Sequence, residues 1–209
     1  MKEQTIECPA CHESASHKIP AMADISADPK LRDSLLDGTF FEWTCPGCRR
    51  RFFVDEVFLC CNSEGGYCIY LVPGYKEASL PIPTVYKSKC TGTLRVTDSY
   101  VEFAEKLRIF DAGMSDRVIE AMKAVYATVC QQTSQDTVYN MIFEEIRPDG
   151  NLGFTVMLKD NDVSVDIPAE AYAHAMADFD KLLPQDCGDV FLKVDQQWLA
   201  HALSEEEPD

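Results

Sequence analysis

Hydrophobic positions follow two periods along the chain, and the switches between them outline its parts. Between residues 139 and 167 the period is two. Tyr139, Met141 and Phe143 alternate with other-face residues, as do Leu152, Phe154, Val156 and Leu158, and then Val163, Val165 and Ile167. Pro148-Asp149-Gly150 and Asn161-Asp162 supply the turns, so an antiparallel meander is predicted. On either side the period becomes helical. Ser115-Asp116 opens a helix with Val118, Met122, Val125, Tyr126 and Val129 in one stripe. Pro168 starts another that buries Tyr172, Met176, Phe179 and Leu183. Residues 190–194 read as a short strand, and Asp195 caps a last helix with Trp198, Leu199 and Leu203 inward. The acidic tail from Ser204 is expected to fray.

The first part of the chain has shorter runs. Residues 15–19, 39–44, 51–59, 67–72 and 94–97 look extended, and Gly65-Gly66 marks a turn. Asp28-Pro29 opens a short helix in which Leu31, Leu35 and Leu36 share a face and Gly38 closes the end. Residues 73–92, with Pro73, Pro81 and Pro83, read as an ordered loop or sheet edge. Ser99-Tyr100-Val101-Glu102 is a capping box, followed by Val101, Ala104 and Leu107 at helical spacing. The polar stretch 131–137 looks like a linker. The expected class is α+β. A zinc-ribbon-like module over 1–72 is followed by a loop, then a strand and two helices over 93–130. Residues 131–209 form the meander with packed helices.

Composition narrows the function. Of 209 residues, 46% are hydrophobic and 26% charged, which suits a globular protein and excludes disorder throughout. The net charge of −16 disfavours general nucleic-acid binding. No apolar run approaches the ~20 residues that cross a bilayer, and the first residues do not resemble a secretory signal. Ten cysteines in such a chain point to a reducing compartment, the cytoplasm, where thiolates bind metal more often than they pair.

The specific signal is Cys8-Pro-Ala-Cys11, then 33 intervening residues, then Cys45-Pro-Gly-Cys48. Two Cys-x-x-Cys knuckles supply four thiolates, the number Zn²⁺ takes in a tetrahedron. Each tight turn aims two sulfurs at one ion and lets later amides donate to the first sulfur. Pro9 and Pro46 pre-set the turns, and Gly47 is expected to adopt a positive φ. Arg49, Arg50 and Arg51 follow and would offset the charge of four thiolates around a divalent ion. Four thiolates would also accept iron. A thioredoxin-like site needs Cys-x-x-Cys opening a helix, whereas Arg-Arg-Arg-Phe-Phe-Val favours a strand. A deaminase pattern lacks the Pro that should precede Cys45, where Thr44 stands.

Other candidates read as structural. Adjacent Cys60 and Cys61 face opposite sides of a strand, and with Cys68 they are expected to be buried thiols, not a second metal site. Cys90, Cys130 and Cys187 are isolated in sequence, with Cys130 beside the stripe of its helix. His12 and His17 lie near the knuckles but find the ligand shell already full, and His174 is expected on a solvated face. Phe40, Phe41, Phe52 and Phe53 suit packing around a small metal module, and Glu144-Glu145 suits a solvated edge.

Taken together, the two knuckles, the run Asp28-Pro-Lys-Leu-Arg-Asp-Ser-Leu-Leu-Asp-Gly38, and the segments Glu105-Lys-Leu-Arg-Ile-Phe-Asp111 and Asp116-Arg-Val-Ile-Glu120 with Lys123 resemble the bacterial CpXC family. The resemblance covers about residues 6–130. It implies a zinc-ribbon-like intracellular bacterial protein with Cys8, Cys11, Cys45 and Cys48 as its metal site, and it implies no activity. The leading expectation is a non-enzymatic structural-zinc module that presents a surface to a protein partner, with no membrane role. The alternatives are a zinc- or thiol-dependent enzyme using Cys60, Cys61 or Cys68 and, last, a nucleic-acid-binding ribbon through Arg49–Arg51.

Overall fold

The computed structural model describes residues 2–26, 28–134, 136–186 and 188–204. Cys187 and the tail 205–209 lie outside the described residues. The chain divides into two compact units, the first comprising 1–104 with 188–191 and the second 105–187 with 192–209. The division falls inside a helix at Ala104, whereas the polar stretch 131–137 stays within the second unit. The class is α+β.

In unit 1, β1 (Lys2–Glu7) and β2 (Ser14–Ile19) form an antiparallel hairpin with Lys2 opposite Ile19 and Glu7 opposite Ser14. β3 (Met22–Asp24) follows, then α1 (Pro29–Leu36). Asp28 caps α1 by accepting from the Leu31 amide at 3.1 Å, and Gly38 leaves it with φ at 81°. A second hairpin pairs β4 (Glu42–Thr44) with β5 (Arg51–Phe53). The run 51–59, expected as one strand, breaks after Phe53, and β6 (Phe58–Asn62) starts a different sheet. That sheet also contains β7 (Tyr67–Leu71), β8 (Ser79–Pro81), β9 (Thr93–Thr97) and β13 (Val190–Leu192), in the order β3-β6-β7-β9-β13-β8. Pro81 accordingly sits on an edge strand, where its missing N–H costs no ladder bond. Phe41 is fully buried, with the rings of Phe40, Phe53, Phe58, Tyr100 and Phe103 all within 6.2 Å of its own. Such edge and tilted contacts add ~0.5–1.5 kcal/mol each beyond burial.

Helix α2 (Tyr100–Asp111) begins as the capping box predicts. The Ser99 hydroxyl accepts from the Glu102 amide at 3.3 Å, and the Glu102 carboxylate accepts from the Asp98 amide at 3.2 Å. Unit 2 then comprises α3 (Asp116–Ser134), the antiparallel meander β10 (Asn140–Ile146), β11 (Leu152–Met157) and β12 (Asp162–Ile167), α4 (Ala169–Phe179) and α5 (Gln196–Ser204). Asp195 caps α5 through the Trp198 amide at 2.8 Å. A bulge between Phe143 and Glu145 shifts the first strand pair by one residue.

The predicted stripe of α3 holds only in its first half. Val118 and Met122 are buried, but Val125 and Val129 stand about half exposed. Burial here follows the length of the helix instead of one face. Every residue from Asp116 to Lys123 is buried, charged ones included, because Lys123 Nζ meets Glu105 at 3.0 Å and Glu120 at 2.8 Å and Lys106 meets Asp116 at 3.1 Å. Glu105 also accepts from the Phe143 amide at 2.7 Å, and Gln196 donates to Glu120 at 2.7 Å. Burial disfavours the charge on Lys123, but Glu105 and Glu120 more than offset it and hold the ammonium protonated. Val101, Tyr139, Val163 and Leu203, expected inward, are likewise exposed to solvent, while Ala202 takes the buried place beside Leu199.

Candidate metal centre

Each Cys-Pro-x-Cys knuckle is the turn of its own hairpin. Residues 8–13 join β1 to β2, and residues 45–50 join β4 to β5. The two turns close identically. The first cysteine's amide donates to a carbonyl five residues on, Cys8 to Glu13 at 2.9 Å and Cys45 to Arg50 at 3.0 Å. The amide four residues on donates back, His12 to Cys8 at 2.9 Å and Arg49 to Cys45 at 3.0 Å. The left-handed residue in each is the one after the second cysteine, His12 at φ 62° and Arg49 at φ 60°. This corrects the expectation for Gly47, whose φ is not positive. A Cβ there would meet the Glu13 carboxylate, the far end of an exposed side chain that can swing aside.

The turns bring all four expected sulfurs together. Cys8 and Cys48 Sγ are 3.6 Å apart, Cys11 and Cys45 Sγ are 3.5 Å apart, and all four lie within 4.8 Å of one another. A tetrahedron of Zn–S bonds has edges of about 3.8 Å, so the set could hold one metal ion. Cys8 and Cys45 are fully buried, Cys48 is half-buried and Cys11 is exposed. Trp43, Phe52, Ile6, Ala15 and Val54 pack against the buried pair. The Ala10 amide donates to Cys8 Sγ at 3.4 Å, as the knuckle geometry predicts. Burial pushes the Cys8 thiol up, but the Ala10 and Cys11 amides and the neighbouring thiols outweigh it and bring it down to about 6. At Cys11 the Glu13 amide pulls the thiol down, but burial and the three neighbouring sulfurs push it up to about 12. Because like charges repel, Cys8 takes up negative charge before Cys11 does.

The rest of the neighbourhood is polar support. His12 turns its Nδ1 to Glu7 at 3.0 Å, and His17 stands on β2 opposite Gln4, so neither histidine joins the sulfurs. Arg51 pairs with Glu42 at 3.0 Å across the β4–β5 hairpin, while Arg49 and Arg50 are exposed. Neither Cys-x-x-Cys opens a helix, which removes the thioredoxin-like arrangement.

A second sulfur group was not legible in the sequence. The β6–β7 register sets Cys61 directly opposite Cys68, and the two are joined in a disulfide. They are therefore not the free buried thiols expected. Cys90, isolated in sequence, reaches the same place, and its sulfur and theirs lie within 4.8 Å of one another. Cys60 faces the other side of the strand, opposite Ile69, and is a buried thiol outside the disulfide.

The model of the family described as CpXC protein matches residues 6–123, more than half of the chain, and the chain belongs to that family. No curated protein and no solved structure matches it. Among the described residues no helix is long and apolar enough to cross a membrane.

Proposed function

We propose that this CpXC-family chain is a non-enzymatic module in which Cys8, Cys11, Cys45 and Cys48 hold one structural zinc ion, and that the ion fixes a surface for a protein partner. The observation that carries the reading is the meeting of two matched hairpin turns with four sulfurs at tetrahedral spacing. Four protein ligands fill the shell of Zn²⁺ and leave no position for a substrate, which is the pattern of structural sites. The small core around Trp43 and Phe52 is too slight to hold two short hairpins by burial alone, so the ion would substitute for it. The test is metal content by mass spectrometry on protein purified without added metal, with thiols counted before and after chelation. One zinc per chain and four thiols released is the expected result. Iron in its place would change the ion and keep the site, and no metal would overturn the reading.

The partner surface we assign is the hollow of about 380 Å³ lined by Asp37, Glu42, Phe53, Asp55 and Tyr100. Phe53 is 45% exposed there, with its ring 5.1 Å from that of Tyr100. Carboxylates around an open aromatic face fit a basic segment of another protein. Fluorescence anisotropy with arginine-rich peptides should show saturable binding that Phe53→Ala abolishes while zinc content is unchanged. Binding that Phe53→Ala leaves intact would reject this surface. The compartment that suits four reduced thiolates is a reducing one, the cytoplasm.

A further inference from the structure

Cys61, Cys68 and Cys90 lie apart from the four knuckle sulfurs in sequence and in their packing. Their surroundings are apolar, formed by Leu59, Leu94, Val96 and Phe191, and none of the three is more than 5% exposed. Two observations place Cys90 there. The Cys90 amide donates to the Tyr86 carbonyl at 3.0 Å, which ends the 3₁₀ turn over Thr84–Tyr86. Two residues on, Gly92 has φ at 78°, and a Cβ on it would run into the backbone of Gly66 at the tip of the β6–β7 hairpin. Thr93 then donates to the Gly66 carbonyl at 2.9 Å and enters β9. The loop end is thus fastened beside β7, with the Cys90 sulfur facing the bonded pair. The Lys89 carbonyl oxygen lies 3.8 Å from Cys68 Sγ, where it can accept from the thiol once the disulfide opens.

We propose that these three cysteines form a thiol–disulfide exchange centre in which Cys90 is the resolving thiol. The Cys90 thiolate attacks Cys68 Sγ. A Cys68–Cys90 bond forms as the Cys61–Cys68 bond breaks, and Cys61 leaves as a thiolate that takes up the proton Cys90 released. No net electrons move in this step. A small external dithiol supplies the redox step. Its two thiols become a cyclic disulfide while one protein disulfide becomes two thiols. Either protein disulfide can be the one reduced. The exchange also moves a covalent link. With Cys61–Cys68 joined, only adjacent strands are tied, but with Cys68–Cys90 joined the loop carrying β8 is stapled to the sheet. A chain placed in a reducing compartment has little use for a permanent disulfide, and those that occur there are mostly transient and redox-active. Burial pushes the Cys90 thiol up, which slows its attack without changing where the exchange comes to rest. This proposal does not depend on zinc in the knuckles.

The chain's own cleavage sites make the test direct. Cys61 and Cys68 share the tryptic peptide 52–76, whereas Cys90 lies in 90–95. The zinc-loaded full chain is equilibrated in a dithiothreitol redox buffer near half-reduction, acid-quenched, alkylated and mapped by mass spectrometry. Both a looped 52–76 and a cross-linked 52–76/90–95 species are expected. Cys61→Ser should leave the cross-linked species as the disulfide that forms, with no looped species, and Cys90→Ser should remove the cross-link and keep the loop. Folding of each variant is checked by circular dichroism. Only the looped species in the unmodified chain, with Cys90 alkylated at every potential, would overturn the proposal. So would three thiols that never oxidise and instead take up one equivalent of Cu(I), which would make the cluster a metal site.

Discussion

His12 and Arg49 occupy the same left-handed backbone conformation, at φ 62° and 60°, each one residue beyond the second cysteine of its knuckle. A side chain with a Cβ meets its following carbonyl there, at a cost of roughly 1–2 kcal/mol. The turn tolerates this because each amide also closes the knuckle. Arg49→Gly is therefore expected to raise the stability of the metal-loaded protein by up to ~1 kcal/mol, and Arg49→Val to lower it by ~1 kcal/mol or more. Thermal unfolding in excess zinc measures both, and a Val variant as stable as the parent would contradict the strain argument.

Removing a ligand should do far more. Structural zinc contributes on the order of 10 kcal/mol in finger peptides, comparable to the whole stability of a typical domain. Cys45→Ser or Cys48→Ser is expected to unfold the two knuckle hairpins, with loss of the ion and new protection-free amides in β4 and β5 by hydrogen exchange. Chelation of the parent should give the same pattern. Unchanged thermal unfolding in either variant would refute the prediction.

Acid should be felt at Asp24. Burial raises its carboxyl, but the Ser26 hydroxyl at 2.7 Å, the Ser26 amide at 3.0 Å and the Ser63 groups outweigh this and hold it at about 2. The folded value lies below the ordinary one near 4. Its stabilising contribution is thus complete above pH ~4 and fades as pH falls from about 4 toward 2. Because the residue is exposed, the contribution is discounted to at most ~1 kcal/mol. Asp24→Asn should lower stability at pH 7 and approach the parent near pH 2, as read by urea unfolding at each pH. A constant difference across that window would show that the carboxylate's charge is not what matters.

In unit 2, Lys123 is held by Glu105 and Glu120 with almost no solvent. Lys123→Ala takes the ion-pair partner from the buried Glu105, while Glu120 keeps Lys106 at 3.6 Å, and breaking such a buried pair costs ~3–5 kcal/mol. Lys123→Met combined with Glu105→Gln should recover a large part of that loss. Denaturant midpoints for the single and double variants decide the matter. A double variant no better than the single would mean that packing, not charge, sets the cost.

What the sequence made legible was local. The meander, the capping box at Ser99, the Asp28 helix cap and the knuckles depend on residues a few positions apart, and their spacing carries the information. Cys90 was illegible because its meeting with Cys61 and Cys68 depends on a 22-residue excursion and on Gly92 packing against Gly66. The burial of Glu105, Asp116, Glu120 and Lys123 was illegible for a different reason. Periodicity assigns charge to solvent, and only the pairing of opposite charges across α2 and α3 lets those turns go inside. The same rule misplaced Val125 and Val129, whose stripe continues past the point where α3 leaves the core.

Because each knuckle closes its own hairpin, an ion there is a chelate assembled in two halves. Cys8 with Cys11, and Cys45 with Cys48, are each preorganised bidentate arms formed from contacts short in sequence. Joining the arms closes the 33-residue span between Cys11 and Cys45, which carries β3 and α1. The entropy of closing such a span grows only logarithmically, by about 0.6 kcal/mol for each doubling of its length. The grip of the arms on the ion is thus nearly decoupled from what the span contains. Changes in length at the exposed turns of that span should therefore leave the affinity of the centre nearly unchanged, while Leu35 and Phe41 stay fixed by the core they fill.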